Sequence, residues 1–169
     1  MSTAAILDQA LSAVCPIISV SIGTEDDAAS WTYQPAPGAT PVQIAAADTM
    51  MTGAPLIVAR GQQANLIRQA YADATDATVD YAGHTYQADA TSRGLLAAVV
   101  ALAGAGQTMP DGFYWRSADN VNVPFGRTNI IELGQTMALK INTDFQKSIV
   151  LQAQIAACNT IADVQAINW

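Results

Sequence analysis

The sequence predicts an α+β fold, with short antiparallel β-hairpins packed against a predominantly helical set that ends in a long C-terminal helix. Three observations carry this. Apolar residues recur every three to four positions through most of the chain, the spacing of amphipathic helices. Three stretches rich in β-branched and aromatic residues, at 17–33, 79–87 and 113–123, each fold back on a polar or glycine-bearing segment. From Thr128 the helical spacing persists to Ala156 through Ile130, Leu133, Met137, Ile141, Phe145, Ile149 and Gln152, so this one element outweighs all the strands.

Each element has a local reason. Ile6, Leu7, Ala10, Leu11 and Val14 share one helical face, and Pro16 stops that helix. Residues 17–22 and 30–33 read as two strands, with the polar run 23–27 between them as the loop of a hairpin. Pro35, Pro37, Gly38 and Pro41 make a connecting loop. Thr40-Pro41-Val42-Gln43 then carries three helix-start signals: a capping hydroxyl, proline at the first helical position and a glutamine that completes a capping box. That helix is expected to reach about Met51 and to end at Gly53 and Pro55. Residues 56–59 read as a short connector, which places a boundary between an acidic helix–hairpin–helix segment at 1–58 and a second domain at 59–169.

In the second part, Ala64, Ile67, Ala70, Tyr71 and Ala74 form a helical stripe. Val79 and Tyr81 alternate, Ala82-Gly83 turns the chain, and residues 85–87 return. Thr91 or Ser92 is placed to cap the next helix, whose stripe is Leu95, Leu96, Val99, Leu102 and Ala103. Gly104 and Gly106 end it. Phe113 and Trp115 point one way, with Val121 and Val123 placed to face them across a turn at 117–120. The long last helix is expected to bend at Asn142-Thr143. A short closing helix, 161–167, leads to Trp169 and carries Ile161, Val164 and Ile167 on one stripe that is expected to dock. A local echo, Trp31-Thr32-Tyr33-Gln34 against His84-Thr85-Tyr86-Gln87, suggests hairpin-then-helix occurring three times. The match is short enough that chance similarity of two strand ends explains it.

Composition bounds the function. Of 169 residues, 51% are hydrophobic and only 12% charged. Either alanine-rich helices inflate the first figure, or part of the surface is covered by another chain, and the second reading fits the rarity of large exposed apolar patches. The net charge is −7, and no Lys or Arg precedes Arg60. A nucleic-acid surface needs clustered cations, so none is expected. An acidic face could meet a basic partner, although Glu25-Asp26-Asp27 alone reads as a solvated loop. The N-terminus lacks the basic start of a signal peptide, and the uncharged run 94–110 is too short and glycine-broken for a membrane span, so no membrane insertion is expected. Cys15 and Cys158 have neither metal-ligand spacing nor the pattern of a disulfide framework.

No catalytic, cofactor-binding or metal-ligating residues are assigned. His84, the single histidine, is flanked by Asp80 and Asp89, but no nucleophile motif accompanies it. Glu25-Asp26-Asp27 and Asp73 with Asp76 lack the alternation of a calcium loop. Gly104-Ala105-Gly106 ends a helix, so its amides do not gather for phosphate. Tyr81, Tyr86, Phe113 and Trp115 could form a ligand platform, for sugar for example, but rings on hairpins more often supply buried core area.

Residues 60–169 carry a resemblance. Its elements are the Tyr71 helix, Val79-x-Tyr81-x-Gly83-x-x-Tyr86-Gln87-x-Asp89, Ser92, Trp115, Asp119-Asn120-Val121 and the closing Ala166-Ile167-x-Trp169. This pattern resembles the C-terminal domain of an uncharacterised family of tailed-phage and prophage proteins found in tail-fibre and tail-assembly gene modules. Ser19-Val20-Ser21-Ile22-Gly23 and Trp31 are similar to leader regions of such proteins. The chain has Tyr86 where the family commonly has Phe. The resemblance implies a non-enzymatic tail protein, a structural component of the tail tip or fibre. Its expected location is the virion tail after assembly in the host cytoplasm. Its expected partners are tail or tail-fibre proteins or further copies of itself. A fibre-assembly chaperone and a glycan-binding or glycan-cleaving accessory protein are the alternatives. The family has no established activity, so no catalytic residue is carried over.

Overall fold

The computed structural model describes residues 1–169. The elements run α1 (Thr3–Ser12), β1 (Ile17–Thr24), β2 (Asp27–Pro35), α2 (Pro41–Thr52), α3 (Ala54–Asp76), β3 (Thr78–Tyr81), β4 (His84–Gln87), α4 (Ala90–Gly104), β5 (Tyr114–Arg116), β6 (Asn122–Pro124), α5 (Arg127–Ala157) and α6 (Ile161–Ala166). Each antiparallel hairpin forms its own two-stranded sheet. This is the α+β arrangement that the periodicities predict. A hairpin leads into a helix three times: β1–β2 into α2, β3–β4 into α4, and β5–β6 into α5. Two compact units result, Met1–Arg68 with Val150–Trp169, and Gln69–Ile149. Both divisions fall inside helices, α3 and α5, whereas the boundary read from the sequence near residue 58 lies within α3.

In the first unit, Ser2 caps α1 by accepting the Ala5 N–H at 3.3 Å. The helix buries Ile6 and Leu7 with Trp31, Ala54 and Val58, and Leu11 with Cys15 and Ala47. The β1–β2 hairpin pairs Val20 with Tyr33, Ile22 with Trp31 and Thr24 with Asp27. The turn is therefore only Glu25-Asp26, and the strands absorb most of the polar run expected to be loop. Two side chains make that possible. The Ser30 hydroxyl accepts the Thr24 N–H at 2.8 Å, and the Trp31 indole donates to the Thr24 carbonyl at 2.8 Å. Gly23 is needed there, because a Cβ would sit 2.8 Å from the Ser30 Cβ. The capping box of α2 forms as its spacing predicts: the Gln43 N–H donates to Thr40 Oγ1 at 3.3 Å, and Gln43 Oε1 accepts the Thr40 N–H at 2.9 Å. The connector expected at 56–59 does not exist. Gly53 ends α2 and α3 begins at Ala54, since a proline in a helix's first turn loses no hydrogen bond. Val58 and Ala59 are buried on its inner face.

The chain end docks. Thr160 caps α6, its hydroxyl accepting the Asp163 N–H at 3.1 Å. Val164 is fully buried, and Ile167 and Trp169 pack with it against Ala59, Ile67 and Ile155. The Gln63 amide donates to the Ile167 carbonyl at 2.5 Å, and Arg60 Nε donates to the Cys158 carbonyl at 3.1 Å. Ile161, expected on the same stripe, remains exposed.

In the second unit, β3–β4 pairs Val79 with Tyr86 and Tyr81 with His84. Its two-residue turn has Ala82 at φ 49° and Gly83 at φ 80°, both left-handed as a twisted hairpin of this length requires. In the third hairpin Trp115 pairs with Val123, and both lie half-buried on the core formed by Tyr86, Leu96, Phe125, Ile130, Leu133 and Met137. Val121, expected to face the same core, lies outside β6 and is exposed.

Three further expectations are corrected here. The cap of α4 is Asp89, whose carboxylate accepts the N–H groups of Thr91 (2.9 Å) and Ser92 (3.1 Å) and the Ser92 hydroxyl (2.7 Å). These donors hold its carboxyl below the usual carboxylate range, the Ser92 hydroxyl most strongly. A carboxylate accepts several donors at once and so outcompetes the two hydroxyls that the sequence offers. Leu95 and Leu102 of the expected α4 stripe face water, and α4 packs through Leu96, Val99, Val100 and Ala103. Along α5, which continues unbroken through Asn142-Thr143, the inward face beyond Ile141 is Asp144, Ser148, Leu151, Gln152 and Ile155; of the expected stripe Gln152 is half-buried, while Phe145, Ile149 and Ala156 turn outward. A continuous helix must keep its phase of about 3.6 residues per turn, so polar residues come inward and apolar ones turn outward. Asp144 is tolerated because Lys140 pairs with it at 2.7 Å, while the same ammonium donates to the Ala74 carbonyl.

Candidate functional site

Titratable side chains and rings gather in two places. On the first unit Tyr33 donates to Asp48 at 2.7 Å beside Trp31, which pushes the phenol up to about 12. On the second they gather at the β3–β4 hairpin and the loop between β5 and β6. His84 opens β4, half-buried, its ring 6.4 Å from that of Tyr86. Neither flanking acid serves it. Asp80 accepts the Thr85 hydroxyl at 2.6 Å, and Asp89 is taken up by the α4 cap. The acid that feels the His84 charge is Asp119, brought in by the β5–β6 loop, whose Ala118 N–H donates to the Thr85 carbonyl at 2.8 Å. Neither Asp119 nor its partner Ser117 stood out as a site residue in the sequence, because 33 residues separate Thr85 from Ala118, the pair whose backbone bond brings the two hairpins together.

The trio of Ser117, Asp119 and His84 invites comparison with nucleophilic catalysis, and its geometry does not suit that chemistry. An activated serine gives its proton to an imidazole. The buried Ser117 hydroxyl instead donates to Asp119, lies 3.1 Å from the Val121 carbonyl and accepts the Val121 N–H at 3.1 Å. It braces the loop. That same hydroxyl is the main reason the Asp119 carboxyl is held below the usual range, with the His84 charge a smaller contribution.

The rings read as possible platform divide differently. Tyr86 is fully buried, with its ring 5.6 Å from Phe125 and 6.4 Å from Tyr81. The Tyr81 hydroxyl donates a hydrogen bond to Glu132 at 2.6 Å, which raises the phenol above its usual pKa. These two are core and core rim. Trp115 borders a cavity of about 380 Å³ with Gln87, Ser92, Leu95, Tyr114 and Arg116, which the sequence alone did not delimit.

The Tyr86 hydroxyl is buried with no hydrogen-bond partner. An unpaired buried hydroxyl costs about 1–3 kcal/mol. Tyr86→Phe is therefore expected to raise stability by about 1 kcal/mol, read as a higher denaturant midpoint at unchanged slope. A lower midpoint would mean that the hydroxyl is bonded in solution.

The remaining sequence candidates lie apart from this cluster. Glu25 accepts the Thr3 hydroxyl, Asp27 the Ala29 N–H at 3.1 Å, Asp73 the Gln69 amide at 2.8 Å, and Asp76 pairs with Arg93 at 2.7 Å. No three His, Cys, Asp or Glu side chains converge. Gly104-Ala105-Gly106 closes α4, with the Gly106 N–H on Ala103 and the Gln107 N–H on Leu102, the bonding of a Schellman end. Cys15 is buried and Cys158 half-buried, both free thiols. No single helix is long and apolar enough to cross a membrane.

Residues 58–168, about two thirds of the chain, match the family described as a domain of unknown function, DUF4376. The chain belongs to the DUF4376 family. The DUF4376 segment starts at Val58, inside α3, and so contains the three-ring core, the Ser117 brace and the docked C-terminal turn except Trp169. No curated protein and no solved structure matches the chain.

Proposed function

We propose that this DUF4376 protein is a non-enzymatic component of the tail tip or fibre region of a tailed-phage particle, made in the host cytoplasm and held in the tail by contacts with other chains. The tail assignment rests on the resemblance carried by the Val79–Asp89 pattern, Asp119-Asn120-Val121 and the terminal Ala166-Ile167-x-Trp169. The class of function rests on one structural observation. Leu66, Leu95, Leu102, Leu139, Phe145 and Val150 are between 47% and 67% exposed, on a chain with only 12% charged residues. Large apolar side chains left in water on several helices suit a chain whose surface is partly covered by others, wherever they join into one patch.

The test is mass spectrometry of purified particles from the host that carries the gene. Peptides of this chain at a fixed ratio to the tail proteins are expected. A chain absent from particles, yet recovered with the fibre protein from producing cells, would make it an assembly chaperone instead.

A further inference from the structure

The cavity of about 380 Å³ beside the β5–β6 hairpin also takes in the end of β4 and the start of α4, all within the Gln69–Ile149 unit. Its volume falls within the range of small-molecule sites, about 300–1,000 Å³. Its lining differs from the rest of this acidic chain. No carboxylate borders it, and one cation does, Arg116. That guanidinium has no acid partner. Its Nε donates to Asn122 Oδ1 across the hairpin at 3.3 Å, which steadies the stem and leaves both terminal nitrogens unbonded. Tyr114, two residues earlier on β5, shares the face of Arg116 and is 50% exposed, while Trp115 between them packs on the core. The Gln87 and Asn120 amides and the Tyr114 hydroxyl make no hydrogen bond within the chain. The Ser92 hydroxyl donates to Asp89 at 2.7 Å, so its oxygen is left to accept.

These groups describe a ligand by its chemistry. The two free nitrogens of Arg116 match the two oxygens of a carboxylate. Side-chain amides both donate and accept, and the Ser92 oxygen needs a donor, so hydroxyl groups satisfy all three. The Tyr114 ring and Leu95 offer apolar surface to C–H bonds. An amine finds no acid here. A phosphate dianion would have one cation to offset two charges, with the Asp89 carboxylate directly behind Ser92. What remains is a monoanion rich in hydroxyls with one apolar face. We propose that this cavity binds a carboxylate-bearing sugar, with Arg116 on the carboxylate, Gln87, Asn120 and Ser92 on hydroxyls, and Tyr114 against the C–H face of the ring. Cleavage of a glycosidic bond takes two carboxyl groups flanking it, and the lining has none, so the site holds such a sugar without cutting it.

The inference stands apart from the tail assignment, because the purified chain alone tests it. Glucuronate, galacturonate and N-acetylneuraminate are titrated into the isotope-labelled full chain and followed by amide chemical shifts, beside glucose, acetate and inorganic phosphate. At least one of the three sugar acids is expected to give saturable shifts centred on Gln87, Ser92, Arg116 and Asn120. Glucose is expected to bind about tenfold more weakly or worse, since it lacks the partner of the guanidinium. Arg116→Gln is expected to bring the sugar acid down to the affinity of glucose and to leave glucose unchanged, while Tyr114→Ala weakens both. Both positions are exposed, and an otherwise unchanged spectrum shows that each variant is folded; should one misfold, the other decides. No saturable shift with any of the three acids, shifts centred away from the cavity, acetate or phosphate bound as tightly as the sugar acids, or full affinity in a folded variant would overturn the proposal.

Discussion

Removing residues 166–169 is expected to destabilise the chain by about 3–5 kcal/mol and to lower its melting temperature by roughly 10 °C. The cut takes away Ile167 and Trp169, both packed on the cluster of Ala59, Ile67, Ile155 and Val164. Each is half-buried, so together they contribute about 2–3 kcal/mol by area. It also removes the Ile167 carbonyl from the Gln63 amide. Gln63 is buried, and an amide left without an acceptor there costs about 1–3 kcal/mol more. This burial and the Gln63 bond are set against the entropy of fraying. Thermal melts of the two forms by circular dichroism decide it. Equal midpoints, with the Trp169 fluorescence of the full chain as quenchable as a free indole, would show that the turn does not dock.

Tyr86→Ala is expected to be costlier than any surface change, at about 3–5 kcal/mol. The ring is fully buried at the centre of its unit, against Phe125 and Tyr81 and within the cluster that Leu96, Ile130, Leu133 and Met137 complete. Residues on β3–β4, α4 and α5 surround it, so they cannot close on the cavity without moving whole elements. Set beside Tyr86→Phe, this variant separates ring from hydroxyl: the ring holds the unit together, and the hydroxyl opposes it. Denaturant unfolding followed by far-ultraviolet circular dichroism gives both values. An alanine variant within about 1 kcal/mol of the parent would mean that the hairpin is not packed through this ring.

Both expectations bear on the proposed function through stability, because the exposed apolar side chains are carried by the elements these contacts hold. The exposed leucines of α4 are presented only while Leu96 and Ala103 on its opposite side remain seated in the Tyr86 core.

Local chemistry was legible in the sequence. The Thr40–Gln43 capping box, the Ala82-Gly83 turn and the end of α4 at Gly104–Gly106 all follow from residues within a few positions of one another, and the apolar stripe of Val164 and Ile167 marked a turn with a face to bury, although its partners Ala59 and Ile67 lie far away in sequence. The α+β class was legible too, since strand and helix periods differ and neither depends on what the element packs against. Tertiary structure decided which face of each helix turned inward. On α4 nearly every position is apolar, so a stripe through Leu95 and Leu102 looked as good as one through Leu96 and Ala103. Only the placement of α5 and the Tyr86 ring chose between them. On α5 the apolar residues Phe145 and Ile149 suggested a face that a continuous helix could not present, because its phase was already set by Ile130, Leu133 and Met137. The bond that brings the β5–β6 loop to β4, from Ala118 to Thr85, and the bracing of Asp119 by Ser117 were likewise beyond the sequence. Periodicity reports what each element wants to bury, and only packing reports which elements are there to bury it.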